Sequence, residues 1–334
     1  MRYVIIILFF PLLWFSKNCI AGTEVVVYSS EDKIFSEPIL QAFEEKTGIK
    51  VRAIFDTEET KSTGLMNRLL AEKENPQADV FWSGDPIRPA LLKIKGVTAS
   101  YVSPVASEIP KEYKDEEGHW TGFSARARVI LYNTDLVSTS EKPTSLFELI
   151  DPKWKNQVAI ANPLFGTSAI HMAALFIVLG DGEAKKFLND LKLNGVKIVS
   201  SNGEVKRLVS RGEVKAGITD TDDANVAIRD NYPVKIVFPD NDGIGTLIMP
   251  NMVCLIKDSP NQENGRKLID YLLGSEVEKR LAWEMCAQMP LRYDIKKPAH
   301  VLSINAINGM KIDYNTVAKK LEEINGFLKD WTGF

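Results

Sequence analysis

Three carboxylates crowd the stretch TDTDDANVAI: Asp220, Asp222 and Asp223. They follow KAGIT, a short apolar strand, and so stand at a strand's C-terminal end, where open α/β sheets bind ligands. Clustered carboxylate oxygens suit a hard metal cation or an amine. Aspartate also starts helices well, stabilising them by roughly 1 kcal/mol. One Asp meets that need and three exceed it. Thr167 and Ser168, in NPLFGTSAIHM, open an apolar helix. Their hydroxyls and the helix N–H groups form an anion site, or they simply cap the helix. Ser29 and Ser30 close the strand EVVVYSS, either as a matching ligand edge in another part of the fold or as a plain turn. Arg126 and Arg128 share one face of a strand by period-two alternation. That pair is a bidentate clamp for phosphate or carboxylate, or a solvated sheet face. Trp82 ends the strand ADVFW as a cleft residue or a core aromatic, and Asn202 and Asn251 are polar residues at strand or loop ends.

Several chemistries are missing. Phosphate-loop, Gly-x-Gly-x-x-Gly and Gly-x-Ser-x-Gly signatures do not occur, which weighs against a nucleotide enzyme or an α/β-hydrolase. His119, His171 and His300 are scattered; His171 lies within an apolar run and reads as a satisfied core histidine. No nucleophile–base pair or cofactor lysine stands out, so the chain reads as a binding protein and not an enzyme.

The elements that must position these residues alternate strand and helix from Thr23 onward. SEPILQAFEEKTG reads as a helix with Ser36 as N-cap and Gly48 as stop. Further strand–helix units follow without hairpin signals, which implies right-handed βαβ units and a mostly parallel sheet. HWTGFSARARVILYNTDL and IGTLIMPNMVCLIK are two long β runs. They predict crossings near residues 124–128 and 246–252 between two α/β lobes. Lobe I is expected over 22–125 plus 249–334, and lobe II over 126–248.

At the N-terminus, Arg2, the apolar run Val4–Phe15 and Cys19-Ile20-Ala21 form a secretory signal over residues 1–21, cleaved before Gly22. A retained membrane anchor and a lipid on Cys19 are the lesser alternatives. The whole chain has 41 Lys+Arg against 44 Asp+Glu. Losing Arg2 and Lys17 leaves 39 against 44, a net charge of −5. No basic tract marks nucleic acid or an anionic membrane as partner. Cys254 and Cys286 remain after cleavage; they either pair in an oxidising compartment or, the reading preferred, stay two buried free thiols.

The blocks YSSEDKIFSEPILQAFEEKTGIKV, ADVFWSGD, SARARVILYNTDL, SLFELIDPKWKNQVAIANP and NGRKLIDYLLGSEVEKRLA resemble the bacterial periplasmic ferric-ion-binding proteins. Those are type II periplasmic binding proteins, whose two lobes close on a ligand like a flytrap. The resemblance implies a periplasmic monomer that delivers its cargo to an ABC permease and its ATPase. It places Asp222 and Asp223 where ferric members carry adjacent tyrosines, Asp32 where a histidine is common, and Asp85 (or Gly84) at an acidic position. It also favours Thr167, Ser168 and Arg126 as anion ligands. The chain thus looks like a sister group with a carboxylate site. Asp222 and Asp223 would hold a metal with a companion anion, as cargo and not cofactor. Alternatively an aminophosphonate zwitterion would place its amine at the aspartates and its phosphonate at Thr167, Ser168 and Arg126. A ligand sensor for a membrane receptor is a further alternative.

Overall fold

The computed structural model describes residues 24–56 and 63–333, so the expected export signal over residues 1–21, with Cys19, lies outside the described residues. In chain order the elements are β1 (Glu24–Ser29), α1 (Lys33–Thr47), β2 (Lys50–Phe55), α2 (Thr63–Ala71), β3 (Val80–Ser83), α3 (Ile87–Ile94), β4 (Thr98–Ala99) and β5 (Thr121–Asn133). Then come β6 (Val158–Ala161), α4 (Gly166–Leu179), α5 (Asp181–Leu193), β7 (Lys197–Val199), α6 (Asn202–Ser210), β8 (Ala216–Asp220), α7 (Thr221–Arg229) and β9 (Val234–Val237). The chain ends with β10 (Ile248–Ile256), α8 (Gln262–Leu272), α9 (Ser275–Trp283) and α10 (Tyr314–Thr332).

The strands run in the order β2-β1-β3-β10-β5-β8-β6-β7, with β4 added to β10 and β9 to β5. β2, β1 and β3 are mutually parallel, as are β7, β6 and β8. The expectation of a mostly parallel sheet holds for these outer strands only. The long strands β5 and β10 join all their neighbours antiparallel. They return the chain between the halves, which outer strands fed by helical crossovers do not do. Thr121–Phe123 of β5 pair with β10 in the first half, and Arg128–Tyr132 pair with β8 in the second.

Between those stretches β5 is irregular. The β10 register shifts at Pro250/Asn251, leaving Ser124 as an extra residue with φ +43. This is a β-bulge, a device that bends a strand and re-aims its side chains. The bulged N–H is not orphaned: Ser124 donates to Glu278 of α9 at 3.1 Å. Glu278 is wholly buried and also pairs with Arg292.

Each half packs apolar strand faces under helices. Val25, Val27, Ile39, Leu40, Phe43, Val80 and Phe81 fill the first, and Val129, Leu131, Ile160, Ile170, Phe176 and Ile218 the second. α10 lies against α3 of the first half and α4 of the second, with Phe327 5.6 Å from Phe176.

One local expectation is corrected. Asp32, not Ser36, is the N-cap of α1, and the Ser36 hydroxyl instead donates to the carbonyl of Asp32 at 3.0 Å from within the helix. The run NQENGRKLIDYLLGSEVEKRLAWEM is two helices, broken where Gly274 donates its N–H to Tyr271. Gly48 ends α1 as expected, left-handed at φ 70 with its N–H on Glu44. Among the described residues both cysteines are buried and free.

Candidate ligand-binding site

The site is assembled where β5 and β8 lie side by side. Arg128 is directly opposite Asp220 in the register, so the strand pairing itself creates their ion pair, at 2.7 Å. Arg128 is 1 % exposed and its guanidinium is fully engaged at both terminal nitrogens. It donates to Thr167 at 3.1 Å, Asn202 at 2.9 Å and Ser168 at 3.2 Å. Asp220 uses its second oxygen to accept from Thr167 at 2.7 Å and from Asn202 at 3.0 Å. Four elements (β5, β8 and the starts of α4 and α6) are thus tied into one knot.

Two residues along β5 on the same face, Arg126 has a different setting. One terminal nitrogen lies 2.8 Å from Glu31, in the turn after β1, and the other 3.1 Å from Asp222, in the first turn of α7. Gln288 donates to the other oxygen of Glu31 at 3.1 Å and is itself reached by Asn251 of β10. Gly84 makes this approach feasible: a Cβ there would sit 2.9 Å from Glu31 Oε2 and 3.2 Å from the Ser30 carbonyl. The Ser30 hydroxyl in turn accepts the Gly84 N–H at 3.1 Å.

Asp223, the next residue of α7, faces Lys206 at 3.4 Å. One carboxylate oxygen each from Asp220, Asp222 and Asp223 come within 4.8 Å of one another. This crowding shows in their protonation. Burial pushes Asp223 up to about 7, helped by the charges of Asp222 and Asp220 and only partly opposed by Lys206. Burial also raises Asp222, against the pull of Arg126. For Arg126 burial works against the charged form, but Asp222, Glu31, Asp220 and Asp32 outweigh it and hold the guanidinium well above its ordinary value. Asp220 is buried and Asp222 and Asp223 half-buried; together they are short of positive charge, and a cation or ammonium placed among them would relieve that.

The structure therefore brings together Arg126, Thr167, Ser168, Asn202, Asp220, Asp222 and Asp223. Their roles differ from those expected. The arginine on Thr167 and Ser168 is Arg128, which fills the supposed anion pocket, while Arg126 sits among carboxylates. Asp32 is half-buried at the α1 N-cap and acts on Arg126 and Asp222 through its field. Ser29 is fully buried, and its hydroxyl has no hydrogen-bond partner among the described residues. Trp82 is 0 % exposed and packs on Phe123 at 5.5 Å, a core aromatic. Asp85 accepts from the N–H groups of Ile87 and Arg88 and so holds the start of α3. Sequence reasoning missed Glu31 and Gln288 altogether. His171 is buried as expected, but neither ring nitrogen is satisfied among the described residues. Burial, aided by Arg128, keeps that ring neutral.

Residues 75–309 match the family of bacterial extracellular solute-binding proteins. A candidate 2-aminoethylphosphonate-binding periplasmic protein of Salmonella typhimurium is 31 % identical over 288 residues, covering 82 % of this chain and 81 % of that one. Iron uptake protein A1 of Synechocystis is 30 % identical over 275 residues, 78 % and 73 % of the two chains. The solved apo ferric-ion-binding protein A of Pasteurella haemolytica superposes with a TM-score of 0.82 at 27 % identity, over 93 % of this chain and 98 % of that one.

Proposed function

The chain belongs to the bacterial extracellular solute-binding proteins, with the two-lobe α/β fold of the type II periplasmic binding proteins, and on that premise we propose that it captures a small solute bearing a cationic pole. Lobe I comprises residues 22–125 and 249–334, lobe II residues 126–248, and the hinge lies at the crossings near 124–128 and 246–252. After export and removal of residues 1–21, the protein closes on its ligand in the periplasm. It then delivers the ligand to an ABC permease and its ATPase. Its role is binding and not catalysis. Among the described residues no helix is long and apolar enough to cross a membrane.

The observation that carries the reading is the pair Asp222 and Asp223, both raised by burial with one protein cation apiece beside them. Two such carboxylates side by side suit an ammonium, which supports the amine of an aminophosphonate-like zwitterion; the Salmonella typhimurium relative points the same way. A metal with a companion anion is the second reading, favoured by the three carboxylate oxygens within 4.8 Å. It requires Asp220 to release Arg128, Thr167 and Asn202, or the companion anion to supply the remaining ligands. Native mass spectrometry with elemental analysis of the exported protein, followed by calorimetric titration with 2-aminoethylphosphonate and with iron(III) citrate, separates the two. Binding of neither probe, with no copurifying solute or metal, would overturn the proposal.

A further inference from the structure

Glu278 lies outside the ligand site, yet it is tied to the backbone that aims the site's arginines. It stands on α9 and is 0 % exposed, and its two oxygens have different tasks. One accepts the N–H of Ser124 at 3.1 Å and that of Leu291 at 2.7 Å. The other accepts from Arg292, which also donates to the carbonyls of Val105 and Leu273. Leu291 belongs to the segment lying along the bulge of β5, where Ala125 and Met289 exchange backbone hydrogen bonds at 2.7 and 2.8 Å. Few residues other than glycine hold the left-handed φ of +43 found at Ser124. Its hydroxyl has no partner among the described residues, and its N–H is held by Glu278.

The bulge decides which face of the sheet carries the arginines. Phe123 is opposite Asn251, and Arg126 is opposite Met249. Asn251 and Met249 are two apart on β10, so Phe123 and Arg126 project from one face although three positions separate them on β5. Uninterrupted alternation would put Arg126 and Arg128 on the reverse face, as a one-residue slip does. The side-chain contacts agree: Arg126 reaches Glu31, which Gln288 connects to Asn251. Without the extra residue, Asp220 and Asp222 would lose the guanidinium groups beside them. We propose that Glu278 is a positioning residue for the ligand site: by accepting the bulged N–H it keeps both arginines on the carboxylate face. The role belongs to its acceptor oxygen and not to its charge. It rests on the ligand reading above only where affinity is the quantity measured.

Two double variants of the mature protein test this, both carrying Arg292→Met so that no buried cation is stranded. Glu278→Gln keeps an oxygen for the Ser124 and Leu291 N–H groups, whereas Glu278→Leu keeps the bulk and offers none. Nitrogen–proton correlation NMR of the arginine Nε–H groups follows Arg126 and Arg128 without any ligand. Both signals should keep their wild-type shifts with Glu278→Gln and move with Glu278→Leu. Calorimetry with 2-aminoethylphosphonate and with iron(III) citrate should give wild-type affinity for the first variant. The second should bind about ten- to a hundredfold more weakly, the worth of one unsatisfied buried N–H. Should the second not fold, deletion of Ser124 removes the bulge with Glu278 and Arg292 still paired, and should move the same two signals. Unmoved signals with Glu278→Leu or the deletion, or displaced signals with Glu278→Gln, would overturn the proposal. If wild type binds neither probe, the ligand reading fails, and the arginine signals alone decide the role of Glu278.

Discussion

Asp223→Asn separates a binding carboxylate from a helix cap, because the two roles predict different outcomes. The Asp223 carboxyl is raised from its ordinary 3.8 to about 7, first by burial and then by Asp222 and Asp220. A carboxyl with a raised folded pKa holds more protons folded than unfolded. Its penalty on stability is therefore absent below about pH 4, grows between about pH 4 and 7, and stays constant above. About three pH units at roughly 1.4 kcal/mol each give a ceiling of about 4 kcal/mol. The side chain is 24 % exposed, and solvent screening brings the figure nearer 2 kcal/mol. Asparagine keeps the shape and removes the charge. Thermal melting without ligand should therefore show Asp223→Asn more stable than wild type at pH 8 and little changed at pH 4. Combined with Asp222→Asn, it should weaken ligand binding at least about a hundredfold in calorimetry, two lost contacts at roughly 1.5–3 kcal/mol each. A pure cap predicts no change in either assay, since Asn caps about as well as Asp. Unchanged melting at pH 8 together with surviving affinity would refute the carboxylate site.

Three more outcomes follow, two from the same geometry and one from the sequence. Arg128→Met strands Asp220 in the interior and should destabilise the fold by roughly 3–5 kcal/mol in denaturant titration; a loss below about 1 kcal/mol would show that the knot is not what holds β5, α4 and α6 together. His171→Leu removes a ring whose nitrogens make no hydrogen bonds among the described residues and should leave the melting temperature equal or higher; a clear loss would reveal a partner for the ring. N-terminal sequencing of the exported protein should begin at Gly22, and retained residues 1–21 or a lipid on Cys19 would contradict cleavage there.

The order of elements was legible because apolar spacing distinguishes strand from helix along most of this chain. Boundaries were less so where neighbouring residues have similar preferences. Asp32 and Ser36 are both good N-caps, and the helix starts at Asp32 without a side-chain capping bond. The three aspartates were visible as a cluster because one strand end delivers them together. Their partners were not, because they meet only through space: Glu31 and Gln288 are 257 positions apart. Arg126 and Arg128 looked equivalent by alternation. What separates them is which strand lies opposite, and that is set by the β5–β8 register. Glu31 was passed over for its neighbour Asp32, although the close approach of Gly84 was the feature that made room for it.

The position of β10 between β3 and β5 has a consequence for how the molecule is made. The first lobe starts the chain, yet β3 has no partner on one side until residues 248–256 have been synthesised. Strands β6 to β9, by contrast, need only β5 before them and one another. Contacts that span little sequence form sooner than those that close a long loop. The later-synthesised lobe should thus become structured first, and pulsed hydrogen exchange during refolding should protect Ile160 and Ile218 before Val27 and Phe81. Until then β3 presents an open apolar edge of the kind that aggregates. Docking of β10 is what closes that edge.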